Sequence, residues 1–222
     1  MVIVMEKQNK LKKKYVKANK KDILKIIEIL NKEYNNAKCG LEYTTPISLV
    51  IALILAAQCT DARVNVICPK LFEKFKTVND IANANIKEIE EIIHPCGFYK
   101  NKSKNIKGCC NLLIEKFNGN VPNTMEALTT LPGIGRKSAN IILQECFSKT
   151  EGIAVDTHVT RITRKIGISN GNSQEQIEKD LIKIIPYSYW NKINHILVNH
   201  GRKICIARRP QCSNCPISTL CK

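Results

Sequence analysis

Four cysteines close the chain in the order C-x6-C-x2-C-x5-C, at Cys205, Cys212, Cys215 and Cys221. Four thiolates this close together can ligate one metal centre, which would order a terminal segment that is otherwise prone to fray. Structural zinc sites usually contain two close pairs of ligands, whereas only Cys212 and Cys215 form such a pair here. The spacing therefore favours an iron–sulfur cluster but leaves zinc open.

The charge balance and the cysteine usage limit the class of protein. The chain has 35 Lys and Arg against 19 Asp and Glu, a net charge of +16, which favours a polyanionic partner such as nucleic acid. A lysine-rich composition can also reflect solubility or codon usage. The eleven cysteines, with no signal peptide before them, indicate a reducing, cytoplasmic setting. The longest apolar run, residues 47–57, is shorter than the roughly 20 residues of a membrane helix, so no membrane association is expected.

A basic segment begins the chain. Eight lysines lie between Lys7 and Lys21, and Glu6 is the only acid in the first 21 residues. Residues 1–21 are therefore interpreted as a flexible arm, which is either simply solvated or a non-specific DNA-tracking tail.

The rest of the chain has helical periodicity and no run of alternating strands, so the predicted fold class is all-α. Asp22 is predicted to cap the first helix and Ser103 to cap a long central one. The predicted helices are Ile23–Tyr34, Pro46–Ala57, Asp61–Phe75, Asn79–Ala84, Ile86–Ile93, Ser103–Phe117, a short helix from Asn123 or Thr124 to before Leu131, Arg136–Phe147, Thr157–Ile166, Ser173–Ile184 and Tyr189–His200.

The segment Leu131-Pro132-Gly133-Ile134-Gly135 is predicted to join two helices through a turn. Glycine allows positive φ and a close approach of the backbone to another molecule. The amides of Gly133, Gly135 and the following turn, which Arg136 opens, would face a phosphate oxygen at the positive end of a helix dipole. Ile134 would pack into the angle between the helices. A plain helical corner also uses proline and glycine, but the net charge favours a phosphate-binding hairpin.

Lys137 and Asp156 are the candidate catalytic pair. Lys137 lies in the first turn after the hairpin, where the helix dipole and Arg136 both favour a neutral amine that could act as a nucleophile. The helix 136–147 is about 18 Å long, and residues 148–155 can span roughly 26 Å. The chain can therefore return Asp156 to the start of that helix. Lys137 could instead only contact phosphate, and Asp156 could be an ordinary N-cap.

Basic side chains surround the first two cysteines of the tail, and no acid follows Asp180. These residues are Arg202, Lys203, Arg208 and Arg209. They could present positive charge to a phosphate backbone, or they could neutralise the charge of the thiolates.

A family resemblance covers about residues 31–221. It rests on Ala57-Gln58-Cys59-Thr60-Asp61, Gly97-Phe98-Tyr99, residues 131–137, Ala154-Val155-Asp156-Thr157-His158, His200-Gly201-Arg202 and the four cysteines. In this order the motifs resemble the endonuclease III family of helix-hairpin-helix DNA glycosylases. The resemblance implies a [4Fe-4S] cluster on Cys205, Cys212, Cys215 and Cys221. It also implies a six-helix barrel lobe (38–149, with the hairpin at about 124–147), a cluster lobe (22–37 plus 150–222) and a DNA groove between them.

The resemblance further implies what the site residues do. Lys137 would attack C1′ of a flipped-out nucleotide with help from Asp156, and the Schiff base would undergo β-elimination that nicks the strand on the 3′ side. Gln58 would fill the gap in the duplex, Phe98 would wedge into it, and His158 would line the pocket. The expected partner is double-stranded DNA with damaged pyrimidines or abasic sites, bound by a monomer. Phe98 departs from the leucine that the family often has there.

Other functions fit parts of the sequence. A monofunctional adenine glycosylase would lack Lys137 and would usually carry a further recognition domain. A pyrimidine-dimer glycosylase differs only in details of the pocket. A non-catalytic DNA-binding iron–sulfur module would bind DNA without cleaving it.

Overall fold

A computed structural model describes residues 17–221, and within them the secondary structure consists of helices and turns, without a strand. The all-α prediction is thereby confirmed. The helices are α1 (Lys20–Glu33), α2 (Pro46–Ala56), α3 (Asp61–Lys74), α4 (Val78–Asn83), α5 (Ile86–Ile93), α6 (Tyr99–Phe117), α7 (Met125–Thr129), α8 (Arg136–Phe147), α9 (Thr157–Lys165), α10 (Gln174–Ile184) and α11 (Trp190–Lys203), with short 3₁₀ turns at His94–Cys96, Tyr187–Tyr189 and Cys212–Asn214. No helix in this part of the chain is long and apolar enough to cross a membrane.

The first core is built around α2. Thr45 and Ser48 form a capping box, and Pro46 occupies the first turn, where its missing N–H costs nothing. Residues 48–55 are all buried, as expected for a helix that is apolar on every side. Helices α3, α6 and α8 pack against α2, and the core extends over buried residues from Leu41 to Ala154.

The second core joins the N-terminal helix to the C-terminal part of the chain. Helix α1 contributes Ile23, Ile26, Ile27 and Leu30, which share one helical face. They pack with the apolar faces of α9, α10 and α11. The chain passes from one core to the other at residues 153–155. Ala154 packs in the first core, whereas Ile153 and Val155 on either side pack in the second.

Several predicted helix ends are wrong. Asn19, not Asp22, caps α1, and its side-chain oxygen accepts the Asp22 amide at 2.8 Å. Both residue types are good caps. Asn19 occupies the N-cap position, and Asp22 lies in the first turn of the helix, where an acidic side chain suits the helix dipole. Helix α6 begins at Tyr99 rather than Ser103, whose buried hydroxyl donates to the Lys100 carbonyl within the helix.

Helix α11 continues past its predicted end at His200 to Lys203. Gly201 does not end this helix. Its lack of a side chain instead lets α9 approach, because a Cβ at this position would lie 2.7 Å from Nδ1 of His158. The predicted arm, residues 1–21, lies mostly outside the described residues. In the described part, Ala18 is buried and its amide donates to the Gly167 carbonyl at 2.9 Å, so the chain already contacts the second core there.

Candidate functional site

The predicted hairpin is present between α7 and α8. Thr124 caps α7, and Gly135 occupies the N-cap position of α8. Leu131 and Ile134 are buried, and the Ile134 amide donates to the Leu131 carbonyl at 3.0 Å. Ile134 therefore anchors the turn from inside, as the sequence predicted.

The two glycines of the turn serve different purposes. Gly133 has a φ of +84°, and a Cβ there would lie 3.1 Å from Cβ of Asn105, so the fold itself requires glycine. Gly135 has a φ of −98°, which any residue adopts, and a Cβ there would meet nothing within 4 Å. Within the described residues neither amide has an acceptor. Gly135 thus leaves its backbone open toward solvent at a helix N-terminus, where an anion binds readily.

This difference gives a matched pair of substitutions. Gly135→Ala should change the free energy of unfolding by no more than about 1 kcal/mol. Its new methyl group would stand where a phosphate approaches, so affinity for duplex DNA should fall about tenfold, or about 1.4 kcal/mol. Gly133→Ala should be destabilised by about 1–3 kcal/mol because of its positive φ. Thermal unfolding and DNA titration at fixed salt measure both effects. Unchanged DNA affinity in Gly135→Ala would contradict the phosphate site.

Lys137 lies half-buried in the first turn of α8. It is near Cys39, which precedes α2 and packs against the first core. Burial raises the pKa of the Cys39 thiol to about 11, and the Lys137 ammonium acts on that thiol in the opposite direction. The carboxylate of Asp61 acts on Cys39 as well. Lys137 therefore shares one region with the loop before α2 and with the start of α3.

Asp156 is half-buried and caps α9, because its Oδ1 accepts the Val159 amide at 2.8 Å. The described residues offer no donor to its other carboxylate oxygen, which can therefore face a ligand. The preceding segment returns along α8 as the chain lengths allowed. A Cβ on Gly152 would lie 3.1 Å from the Asn140 amide, one turn beyond Lys137.

His158 follows Asp156 and packs against α11. Burial lowers its pKa, and Arg161 and Arg202 act in the same direction while Asp156 opposes them. Arg161 Nη2 lies 3.1 Å from His158 Nδ1, and a hydrogen bond to the Gly201 backbone acts to raise the pKa of His158. His158 is therefore close to both Asp156 and Arg202.

Two of the predicted DNA-binding arginines have acidic partners. Arg136 donates to Glu178 at 2.6 Å, and Arg202 donates to Asp61 at 2.6 Å. The Arg136 side chain therefore joins α8 to α10, so its backbone amide is the group left for phosphate. Arg202 joins α11 to the start of α3 and remains half exposed. Arg208 and Arg209 are exposed in the loop between the first two tail cysteines, and no ion pair engages them in the described part of the chain.

Gln58 and Phe98 lie on one concave surface, although forty residues separate them in the sequence. Both have left-handed backbones, with φ of 54° and 49°, which is uncommon for residues other than glycine. Phe98 is 61% exposed, so a large apolar ring points away from the core. Strain of this kind concentrates at ligand-binding sites. The structure thus brings together the two residues that the sequence assigned to the duplex.

The four tail cysteines are free thiols around one space. Burial raises the pKa of Cys221, and the sulfurs of Cys205, Cys215 and Cys212 add to the effect, which places all four close together. Within residues 17–221, no three or more His, Cys, Asp or Glu side chains converge on a single metal ion. Four cysteine thiolates are the donor set that an iron–sulfur cluster takes, so these residues fit that group. Arg161 supports the loop by donating to the Cys205 carbonyl at 2.8 Å.

The sequence reasoning missed two buried charges. Glu178 is 4% exposed and accepts from Arg136, Asn140 and the Ile153 amide. Lys102 is also 4% exposed and lies on the inner face of α6. The helical periodicity of the sequence could have indicated both, because each charged residue lies on the apolar face of its helix. Glu178 shares that face with Leu181 and Ile185, and Lys102 shares it with Ile106 and Cys109.

Comparison with known proteins decides the family. Residues 51–187 match the HhH-GPD superfamily of base excision DNA repair proteins, and residues 205–221 match the iron–sulfur binding domain of endonuclease III. The chain is 44% identical to the endonuclease III of Synechocystis sp., covering 92% of this chain and 93% of the relative. It is 36% identical to that of Escherichia coli, covering 92% and 96%. The chain belongs to the endonuclease III family.

Solved structures of endonuclease III agree with this assignment. A non-covalent endonuclease III–DNA complex superposes with a TM-score of 0.88 at 40% identity, covering 92% of this chain and 95% of the other. A trapped endonuclease III–DNA covalent intermediate gives the same TM-score and identity, with 92% and 96% covered. A thermostable thymine-DNA glycosylase, 23% identical with a TM-score of 0.77, shares the fold.

Family membership confirms the two-lobed helix-hairpin-helix class and the enzyme class predicted from the sequence. The protein is a base excision repair DNA glycosylase with AP lyase activity, it binds DNA, and its cofactor is a [4Fe-4S] cluster. The roles of individual residues and the identity of the damaged base are not fixed by membership and are proposed below.

Proposed function

We propose that this enzyme removes oxidised pyrimidines from double-stranded DNA and cleaves the resulting abasic sites, with Lys137 as the nucleophile and Asp156 as its partner. The observation that carries this proposal is the place of Lys137. It follows a hairpin whose amides are free to hold phosphate, and it lies in the same region as Asp61 and Cys39. A backbone held at the hairpin brings a sugar within reach of the amine.

The chemistry needs one amine and one carboxylate. The Lys137 nitrogen forms a bond to C1′ of the flipped nucleotide while the bond from C1′ to the base breaks, and the base leaves with the electron pair and takes up a proton. Opening of the sugar ring gives a Schiff base to Lys137. Loss of a proton from C2′ then breaks the bond between C3′ and its phosphate oxygen, which nicks the strand on the 3′ side, and water later releases the lysine.

Asp156 acts through Oδ2, the carboxylate oxygen that accepts no hydrogen bond from the described residues. A carboxylate there stabilises the positive charge that develops on the sugar as the base departs, and it can accept a proton. The bond from its other oxygen to the Val159 amide fixes the direction of the carboxyl group. His158 lies close to this carboxylate and to Arg161, so it would line the same space.

DNA would lie across the groove between the two cores. The amides of Gly133, Gly135 and Arg136, beside the buried Ile134, would hold one phosphate. Arg202, Arg208 and Arg209 would contact the backbone from the side of the tail. Gln58 would fill the space left by the flipped base, and the exposed ring of Phe98 would separate the neighbouring base pairs.

The four tail thiolates of Cys205, Cys212, Cys215 and Cys221 would hold the [4Fe-4S] cluster, which supplies structural cohesion to the loop that carries Arg208 and Arg209. His200 supports this site, since its Nε2 lies 3.8 Å from Sγ of Cys215 and its Nδ1 lies 3.1 Å from the Tyr34 hydroxyl. We also infer that the two cores correspond to the barrel lobe and the cluster lobe, that the protein acts as a monomer, and that it works in the cytoplasm on chromosomal DNA.

The test is an assay of both products on two duplexes, one with a single thymine glycol and one with an abasic site. The expected result is release of the free base from the first duplex and a nick on the 3′ side of the lesion in both. Base release without a nick would indicate a monofunctional glycosylase. DNA binding with neither product would indicate a non-catalytic module, and a nick at the abasic site without release of thymine glycol would change the damaged-base substrate.

A further inference from the structure

Lys102 holds a positive charge inside the first core without a carboxylate partner. Its Nζ donates to the carbonyls of Leu55, at 2.8 Å, and Cys96, at 2.9 Å. No acidic side chain in the described part of the chain pairs with it. Burial lowers its pKa, and only the thiols of Cys59 and Cys96 act in the opposite direction. Lysine is almost never fully buried unless it is paired, so this position needs a reason.

The two carbonyls terminate two different segments. Leu55 lies in the last turn of α2, and Cys96 ends the 3₁₀ turn His94–Cys96. Carbonyls at such ends lack a helical partner and lie at the negative end of the dipole, which suits a buried ammonium. One charge thus fixes the ends of two elements that are remote in sequence.

The residues that follow these two ends are Gln58 and Phe98. Gln58 comes three positions after Leu55, and Phe98 comes two positions after Cys96. These are the two residues other than glycine with positive φ on the shared concave surface. Outside, Arg63 in the first turn of α3 adds a contact to the 3₁₀ turn, because its Nη1 donates to the Pro95 carbonyl at 3.2 Å.

The Cys96 thiol beside Lys102 does not cancel its charge. Burial, together with Cys59, raises the pKa of the Cys96 thiol to about 11, so Cys96 is protonated near neutral pH. The ammonium therefore remains directed at the two carbonyls.

We propose that Lys102 is a positioning residue that sets the separation and direction of Gln58 and Phe98, so that both side chains enter the duplex together at the damaged pair. The inference rests on the proposed role of these two side chains in the duplex. Without the ammonium, the ends of α2 and of the 3₁₀ turn lose their common anchor. Insertion and nucleotide flipping then fail, whereas the bond-breaking groups, Lys137 and Asp156, remain in place.

Lys107 provides a matched control on the same helix. Its side chain is half-buried, less deeply than that of Lys102, and its ammonium donates to one carbonyl, that of Ala84, which ends α4. Lys107→Met therefore removes the same kind of contact from α6 without touching either segment that carries Gln58 or Phe98.

The experiment uses the full chain with its cluster and a duplex containing a tetrahydrofuran site, which resists cleavage, opposite 2-aminopurine. The parent protein should change the fluorescence as Gln58 and Phe98 enter the duplex at this site and unstack the 2-aminopurine from its neighbours. For Lys102→Met we expect the fluorescence change and kcat/KM on a duplex abasic site to fall at least about tenfold, as for a misplaced positioning group. Cleavage of a single-stranded abasic oligonucleotide should match the parent, and Lys107→Met should match the parent throughout.

Three outcomes would overturn the proposal. Lys102→Met with the parent's fluorescence change would show that the two side chains do not depend on Lys102. An equal loss on single strands and duplexes would show general damage rather than lost positioning. No fluorescence change with the parent protein would contradict the proposed function itself, and with it this role of Lys102. If Lys102→Met does not fold, the same assays are made with Lys102→Gln, which keeps a hydrogen-bond donor but loses the charge. The same outcomes then apply.

Discussion

Replacing Glu178 with alanine is expected to lower the free energy of unfolding by about 3–5 kcal/mol. The carboxylate is 4% exposed and accepts from Arg136 Nε at 2.6 Å, Asn140 Nδ2 at 3.0 Å and the Ile153 amide at 3.2 Å. Its removal leaves two buried donors without an acceptor. Solvent reduces the share of the half-exposed Arg136, so the buried donors account for most of the loss.

Chemical and thermal unfolding of the cluster-loaded protein measure this loss. Glu88→Ala is the matched control, because it removes an ion pair of 2.7 Å with Lys74 that lies on the surface, and the midpoint should not change. Glu178→Gln, which keeps an acceptor, should fall between Glu178→Ala and the parent. A Glu178→Ala protein as stable as the parent would show that the link between α8 and α10 is dispensable.

Asp156→Asn is expected to slow base removal by about 10²–10⁴-fold while duplex binding is retained. Asparagine caps a helix as well as aspartate does, so the bond to the Val159 amide survives and only the charge is lost. Single-turnover kinetics on a thymine glycol duplex give the rate, and a tetrahydrofuran duplex gives the affinity.

Asp156→Ala separates the two roles of this side chain. It should lose the same catalytic factor and also about 1 kcal/mol of stability from the missing cap. Full activity in Asp156→Asn together with a loss in Asp156→Ala would mean that Asp156 is only a helix cap.

Much of the fold could be predicted because local and global signals agree. Helix α2 combines a capping threonine, a proline in its first turn and an unbroken apolar run, and it forms as predicted apart from its last residue. The hairpin could also be predicted, since Gly133 has the positive φ and Ile134 the burial that the motif requires. The start of α6 was not readable. Its N-cap is Phe98 in a left-handed conformation, and a bond from Lys102 to Cys96 holds the preceding turn.

The pairing of the arginines could not be predicted from local sequence. Arg136 meets Glu178, 42 residues away, and Arg202 meets Asp61, 141 residues away. A charge pattern along the chain indicates a basic face, but only the packing of the two cores decides which cations are already paired. Arg208 and Arg209 remain without such partners in the described residues, so they are the tail arginines most available to phosphate.

The most direct test of the account is borohydride trapping on a duplex with one abasic site, comparing the parent protein with Lys137→Gln. Lys149→Gln is the control, because Lys149 lies just beyond α8 and, among the described residues, its ammonium donates to the Asn123 carbonyl at 2.8 Å. The expected result is a covalent protein–DNA adduct with the parent and with Lys149→Gln, and none with Lys137→Gln. An adduct of undiminished yield with Lys137→Gln would contradict the assignment of Lys137 as the nucleophile.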